Sequence, residues 1–177
     1  GLQAGAVLVL AFDPREWDDA RRRAAALAPY NQGVDALARN DFVLAEREFR
    51  LALQTAPELV DARYNLALVL LKRGQHRQAS DLLEPLAAAR PDDPEIGFAL
   101  GNALFQQARF DEAVTAFARV LQRHPGHRRA AFGHARSLQE AGRTREARAA
   151  WNAYLTLDSD SSWADEARRH LRALPAD

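Results

Sequence analysis

The most constraining feature of this chain is a self-similarity with a period of 34 residues. Ala45, Ala79, Ala113 and Ala147 stand 34 positions apart, and four positions after each comes a bulky apolar residue, Phe49, Leu83, Phe117 and Trp151. Twelve positions before each alanine is a small residue, Gly33, Ala67, Gly101 and Ala135. Twelve positions after, three of the four copies have proline (Pro57, Pro91, Pro125), and the fourth has Ser159. Small and large residues at helical spacing let two antiparallel helices approach closely where the small residue sits, with the large one filling the gap. One such hairpin cannot bury its apolar face alone, so neighbours must stack.

These residues resemble the tetratricopeptide repeat (TPR) family. The clearest copy, Pro94 to His127, contains IGFALGNALFQQARFDEAVTAFARVLQRHP, with Leu100, Gly101, Leu104, Phe110, Ala113, Phe117 and Pro125 on the family's signature positions. The resemblance covers about Leu27 to Ser161 and implies an all-α, right-handed solenoid of helix hairpins. Four repeats are expected, at about 27–59, 60–93, 94–127 and 128–161, within a repeat domain over 29–161. A separate N-terminal helix is expected over 13–28, with Pro29 in the first turn of the next helix. Pro85 should kink or loosen the second helix of repeat two. His134 and Thr144 occupy positions that are usually apolar, so repeat four should pack least well. Asn40-Asp41, Gly74, Ala108 and Gly142 mark the turns inside the hairpins. A capping helix and tail over 162–177 should start at Ser162 and cover repeat four with Trp163, Ala167 and Leu171.

The resemblance also implies that the first helix of each unit lines a concave groove. Carried onto this sequence, the groove residues are Tyr30, Val34, Tyr64, Leu68, Leu71, Phe98, Asn102, Phe105, Arg129, Phe132 and Arg136. Tyr30, Tyr64, Phe98 and Phe132 put an aromatic at one motif position in all four units. Such a row suits apolar anchors of a partner segment, or it fills space between adjacent helices. Some family members hold a C-terminal carboxylate with lysines, arginine and asparagines. Here Asn65 matches one such position, but Tyr30, Val34, Glu95 and Ala99 do not, so that capture is not expected.

Charge is balanced globally, with 24 basic and 24 acidic residues, and gives no sign of nucleic acid as partner. Locally, eight arginines stand between Arg119 and Ala150 against Glu140 and Glu146. They form either a surface for acidic groups of a partner or a solvated basic face. Cysteine is absent, which removes disulfides and thiolate chemistry. No cofactor, metal or enzyme motif stands out. His124, His127 and His134 lack clustered carboxylates, and Asp158, Asp160 and Ser162 mimic a calcium loop whose later positions, Trp163 and Arg169, are wrong for it.

The segment 1–12 is apolar and uncharged, too short alone for the roughly 20 residues of a spanning helix. It reads as the tail of a truncated membrane or signal segment, or as an arm packed on the solenoid. The expectation is a non-catalytic interaction scaffold that binds a protein or peptide segment with apolar anchors and acidic groups. Membrane contact through 1–12 and a bacterial envelope location are favoured over a free cytoplasmic one. The rival readings are a self-assembling homo-oligomer with the N-terminal arm in a groove, and a docking domain of a larger enzyme.

Overall fold

The computed structural model describes residues 14–175, and the apolar segment 1–12 lies outside them. Among the described residues every regular element is a helix: α1 (Pro14–Ala38), α2 (Phe42–Thr55), α3 (Val60–Lys72), α4 (His76–Ala89), α5 (Pro94–Gln106), α6 (Phe110–Arg123), α7 (Arg128–Glu140), α8 (Thr144–Leu157) and α9 (Ser162–Ala173). Each helix packs on the next, and the odd-numbered helices also touch one another in series, α1 on α3, α3 on α5 and α5 on α7. The even-numbered helices make no comparable series. The odd-numbered helices are therefore drawn together on the inner wall of a curved stack.

The 34-residue spacing reappears as packing. Ala45, Ala79, Ala113 and Ala147 are fully buried, as are Phe49, Leu83 and Trp151, with Phe117 almost so. A Cβ placed on Gly33 would stand 2.7 Å from two ring carbons of Phe49, and one on Gly101 would stand 2.6 Å from Phe117. These glycines are small because the ring of the facing helix occupies that space. The hairpin turns repeat too. Asn40, Gly74, Ala108 and Gly142 all take positive φ, at 59°, 74°, 57° and 73°. Glycine adopts that conformation freely and asparagine tolerates it, whereas Ala108 is strained there.

Three expectations need correction. The separate N-terminal helix and the first helix of repeat one are a single helix, α1, which runs through Pro29. α4 also runs across its proline, Pro85, from His76 to Ala89. Each proline removes one donor and crowds the carbonyl four residues back. Those residues, Ala25 and Asp81, are exposed, so water can reach the freed carbonyls. The cap of α9 is Ser161 rather than Ser162: its Oγ accepts from the amides of Trp163 at 3.1 Å and Ala164 at 3.2 Å. Repeat four is not loosely packed. Its own core cluster joins Phe132, Ala135, Leu138, Ala147, Trp151 and Tyr154 to Ala167 of α9. Thr144 begins α8, where its side chain demands no apolar partner, and His134 is half-buried.

Candidate functional site: a concave aromatic and arginine pocket

A pocket of about 470 Å³ opens on the inner face between α5, α7 and the start of α9. Its size falls in the range usual for ligand pockets. Phe98, Asn102 and Phe105 come from α5, Arg129, Phe132 and Arg136 from α7, and Asp158, Ser161 and Trp163 from the turn into α9. Six residues expected in the groove thus converge here. Tyr30, Val34, Tyr64, Leu68 and Leu71 do not reach this pocket. Tyr30 accepts a hydrogen bond from Asn65 Nδ2 at 3.2 Å and lies 5.9 Å from Phe49, so it bridges α1, α2 and α3. Tyr64, Leu68 and Leu71 are half-buried against the core, and Val34 is exposed.

The aromatic row does not present four equal faces. Phe132 is buried, its ring 4.9 Å from Trp151, 5.3 Å from Tyr154 and 5.0 Å from Trp163, all edge-on. It belongs to the core first and offers the pocket the side left over. Phe98 and Phe105 are half-buried. Phe98 packs on Phe117 at 6.0 Å beneath the Arg129 guanidinium, 4.7 Å from its centre. Phe105 carries Arg136 at 4.8 Å. A cation over a ring gains from the ring quadrupole and is held where a carboxylate could meet it.

The charges differ in how far they are already engaged. Arg129 donates to both oxygens of Glu95 at 2.7 Å, and His127 Nε2 lies 3.5 Å from the same carboxylate. Burial raises the Glu95 pKa, but the hydrogen bond and charge of Arg129, with His127, outweigh it and hold the group below the usual glutamate range. His127 Nδ1 accepts from Ala130 N at 3.0 Å and caps α7. Asp158 Oδ2 accepts from Tyr154 Oη at 2.8 Å and Ser161 Oγ at 2.5 Å. Those bonds, Ser161's foremost, lower the Asp158 pKa. Burial, then the bond to Asp158, pushes the Tyr154 hydroxyl up to about 12. Arg128 and Arg136, by contrast, make no close ion pair among the described residues, although the Arg128 charge also helps to lower the Asp158 pKa.

The basic run in the second half of the chain is thinner in space than in sequence. Arg123 pairs with Asp92 at 2.5 Å, Arg129 with Glu95, and Arg143 with both Glu146 at 2.6 Å and Asp111 at 3.4 Å. The partners Asp92, Glu95 and Asp111 come from one repeat earlier, outside the window in which the arginines were counted. Asp158, Ser161 and Trp163 were also missed as pocket residues, because the turn into α9 falls off the 34-residue register. No group of three or more metal-ligating side chains forms among the described residues. None of their helices is long and apolar enough to cross a membrane.

The sequence profile of the tetratricopeptide repeat matches residues 30–94, 64–128 and 98–162. The chain belongs to the tetratricopeptide repeat family. A TPR repeat-containing protein of Pseudomonas aeruginosa is 30% identical over 103 residues, which cover 58% of this chain and 18% of that protein. The chain therefore spans under a fifth of that relative's length. Among solved structures, YrrB, described as a TPR protein with an unusual peptide-binding site, superposes with a TM-score of 0.77 at 26% identity, over 82% of this chain and 75% of its own. MamA (AMB-1) superposes with a TM-score of 0.71 at 26% identity, over 75% of this chain and 78% of its own. These likenesses make the chain a TPR solenoid, a fold whose general role is a protein–protein interaction scaffold with a protein or peptide as partner. TPR modules are in general non-catalytic.

Proposed function

We propose that this TPR chain captures a segment of a partner protein on its inner face, with the pocket between α5, α7 and α9 as the principal grip. The observation that carries the reading is the pairing of accessible rings with cations that make no close ion pair among the described residues. Phe98, Phe105 and Trp163 offer apolar surface, while Arg136 sits over one of those rings and Arg128 stands at the rim. An apolar or aromatic anchor would displace water from the rings, and an acidic neighbour would meet the arginines in paired hydrogen bonds. Tyr64, Leu68 and Leu71 extend the apolar inner face toward repeat two, so a longer segment would continue along it. The peptide-binding site named for YrrB supports this use of the fold. An envelope location is a separate part of the proposal, rests on the apolar residues 1–12, and is tested by membrane fractionation of expressing cells.

Fluorescence anisotropy with a labelled acidic peptide bearing a central tryptophan tests the pocket. Phe105→Ala and Arg136→Glu should each weaken binding at least about tenfold, the loss expected at a hot spot, with far-ultraviolet circular dichroism unchanged. Unaltered affinity in both variants would reject the pocket.

A further inference from the structure

The pocket calls for an aromatic side chain flanked by carboxylates, and this chain displays one of its own. Among the described residues, the first turns of α1 are exposed from Arg15 to Ala25, save the half-buried Asp19. Among the described residues, the outermost side-chain bond from α1 to another part of the fold is that of Arg23, whose Nε donates to Glu58 Oε1 at 3.2 Å, and the first buried residue is Ala26. Trp17 stands six residues further out, about 9 Å along the helix axis. It is 56% exposed, with its ring touched by the Arg21 guanidinium at 5.8 Å. A tryptophan left this open is costly to hydrate and is a typical anchor of an interface. Glu16 and Asp18 flank it at about 100° on either side of the helix, and neither has an ion-pair partner among the described residues. Asp19 is engaged by Arg22.

We propose that Trp17 of one copy docks into the α5–α7–α9 pocket of a second copy, with Glu16 and Asp18 meeting the cations Arg128 and Arg136. This rests on the pocket being a binding site, as argued above. Arg129 is left to Glu95, and Asp158 is satisfied by Tyr154 and Ser161, so the two acidic groups near the pocket do not oppose the incoming carboxylates unscreened. A chain does not fill its own pocket this way, because α1 packs on α2 and α3, at the other end of the stack from α7 and α9. The two surfaces are different, so the contact is head-to-tail and propagates from copy to copy unless a ring closes.

Sedimentation velocity of the full chain over rising concentration tests this. The unaltered chain should show mass above the monomer, increasing with concentration. Trp17→Ala, which removes the anchor, and Arg136→Glu, which spoils the pocket, should each raise the concentration needed for association by at least about tenfold. An equimolar mixture of the two variants should recover a species that stops at a dimer, since one chain keeps a good pocket and the other a good anchor. A monomeric unaltered chain, a Trp17→Ala variant that associates normally, or a mixture without dimer would each overturn the proposal. The labelled peptide separates the two readings. If the unaltered chain stays monomeric while Trp17→Ala chains bind the peptide and lose it on adding Arg136→Glu, the pocket stands without self-docking. If they never bind it, both fall.

Discussion

Replacing Gly101 by alanine tests whether the small–large pairs really set the spacing of the helices. A Cβ at Gly101 would stand 2.6, 2.7 and 2.8 Å from three ring carbons of Phe117, where ordinary contact begins at 3.4 Å. Retreat of the ring is blocked on the other side, because a Cβ at Gly133 of α7 would also lie 2.6 Å from it. Phe117 is 1% exposed and has no free space to enter. Overpacking of this kind costs about 1–3 kcal/mol, against a gain of about 1 kcal/mol from replacing a mid-helix glycine by alanine. The clamp on both sides places the cost in the upper part of its range, leaving a net loss of about 1–2 kcal/mol. The decisive comparison is with the ring removed. In a Phe117→Ala background the steric cost vanishes, and Gly101→Ala should stabilise by about 1 kcal/mol, giving a coupling of about 2–3 kcal/mol. Phe117→Ala alone costs roughly 3–5 kcal/mol, so all four proteins are compared by urea unfolding in the same stabilising osmolyte. A Gly101→Ala effect of the same sign and size in both backgrounds would refute the argument.

Two further outcomes follow from the turns and the end of the array. Ala108→Gly should raise stability by roughly 0.5–1 kcal/mol by relieving a left-handed backbone at an alanine, read as a higher urea midpoint. Tyr154 has its hydroxyl pKa raised to about 12 from the ordinary 10.0. The protonated form is thus favoured in the folded state, and its contribution is whole below pH 10 and lost as pH rises toward 12. Urea midpoints across that interval should fall more steeply for the unaltered chain than for Tyr154→Phe, and equal slopes would contradict the assignment.

Much of the fold was legible because it is written in short-range spacing. The offsets of four and twelve residues around Ala45, Ala79, Ala113 and Ala147 are the contacts of one hairpin, and a hairpin is local. Six pocket residues were legible for the same reason, since equivalent positions on successive helices face the same way. What escaped was whatever depends on a neighbouring unit or breaks the period. Arg123, Arg129 and Arg143 looked like unopposed charge because Asp92, Glu95 and Asp111 sit about 30 residues upstream. Phe132 looked like its counterparts Tyr30, Tyr64 and Phe98, but α9 closes over it where an ordinary repeat would have followed. Pro29 looked like a helix start, although a proline on an accessible face leaves the helix free to run on in both directions.

The terminal helix does two jobs at once. It shields Trp151, with His170 stacked on the indole at 4.9 Å, and it lends Trp163 to the pocket wall. The ends of a stacked array open before its middle, so this pocket exists only while the last unit stays shut. Occupancy and closure are then linked by mass action: whatever fills the cleft slows the fraying of α9. Amide exchange along 162–173 should therefore act as a built-in gauge of whether the inner face is loaded.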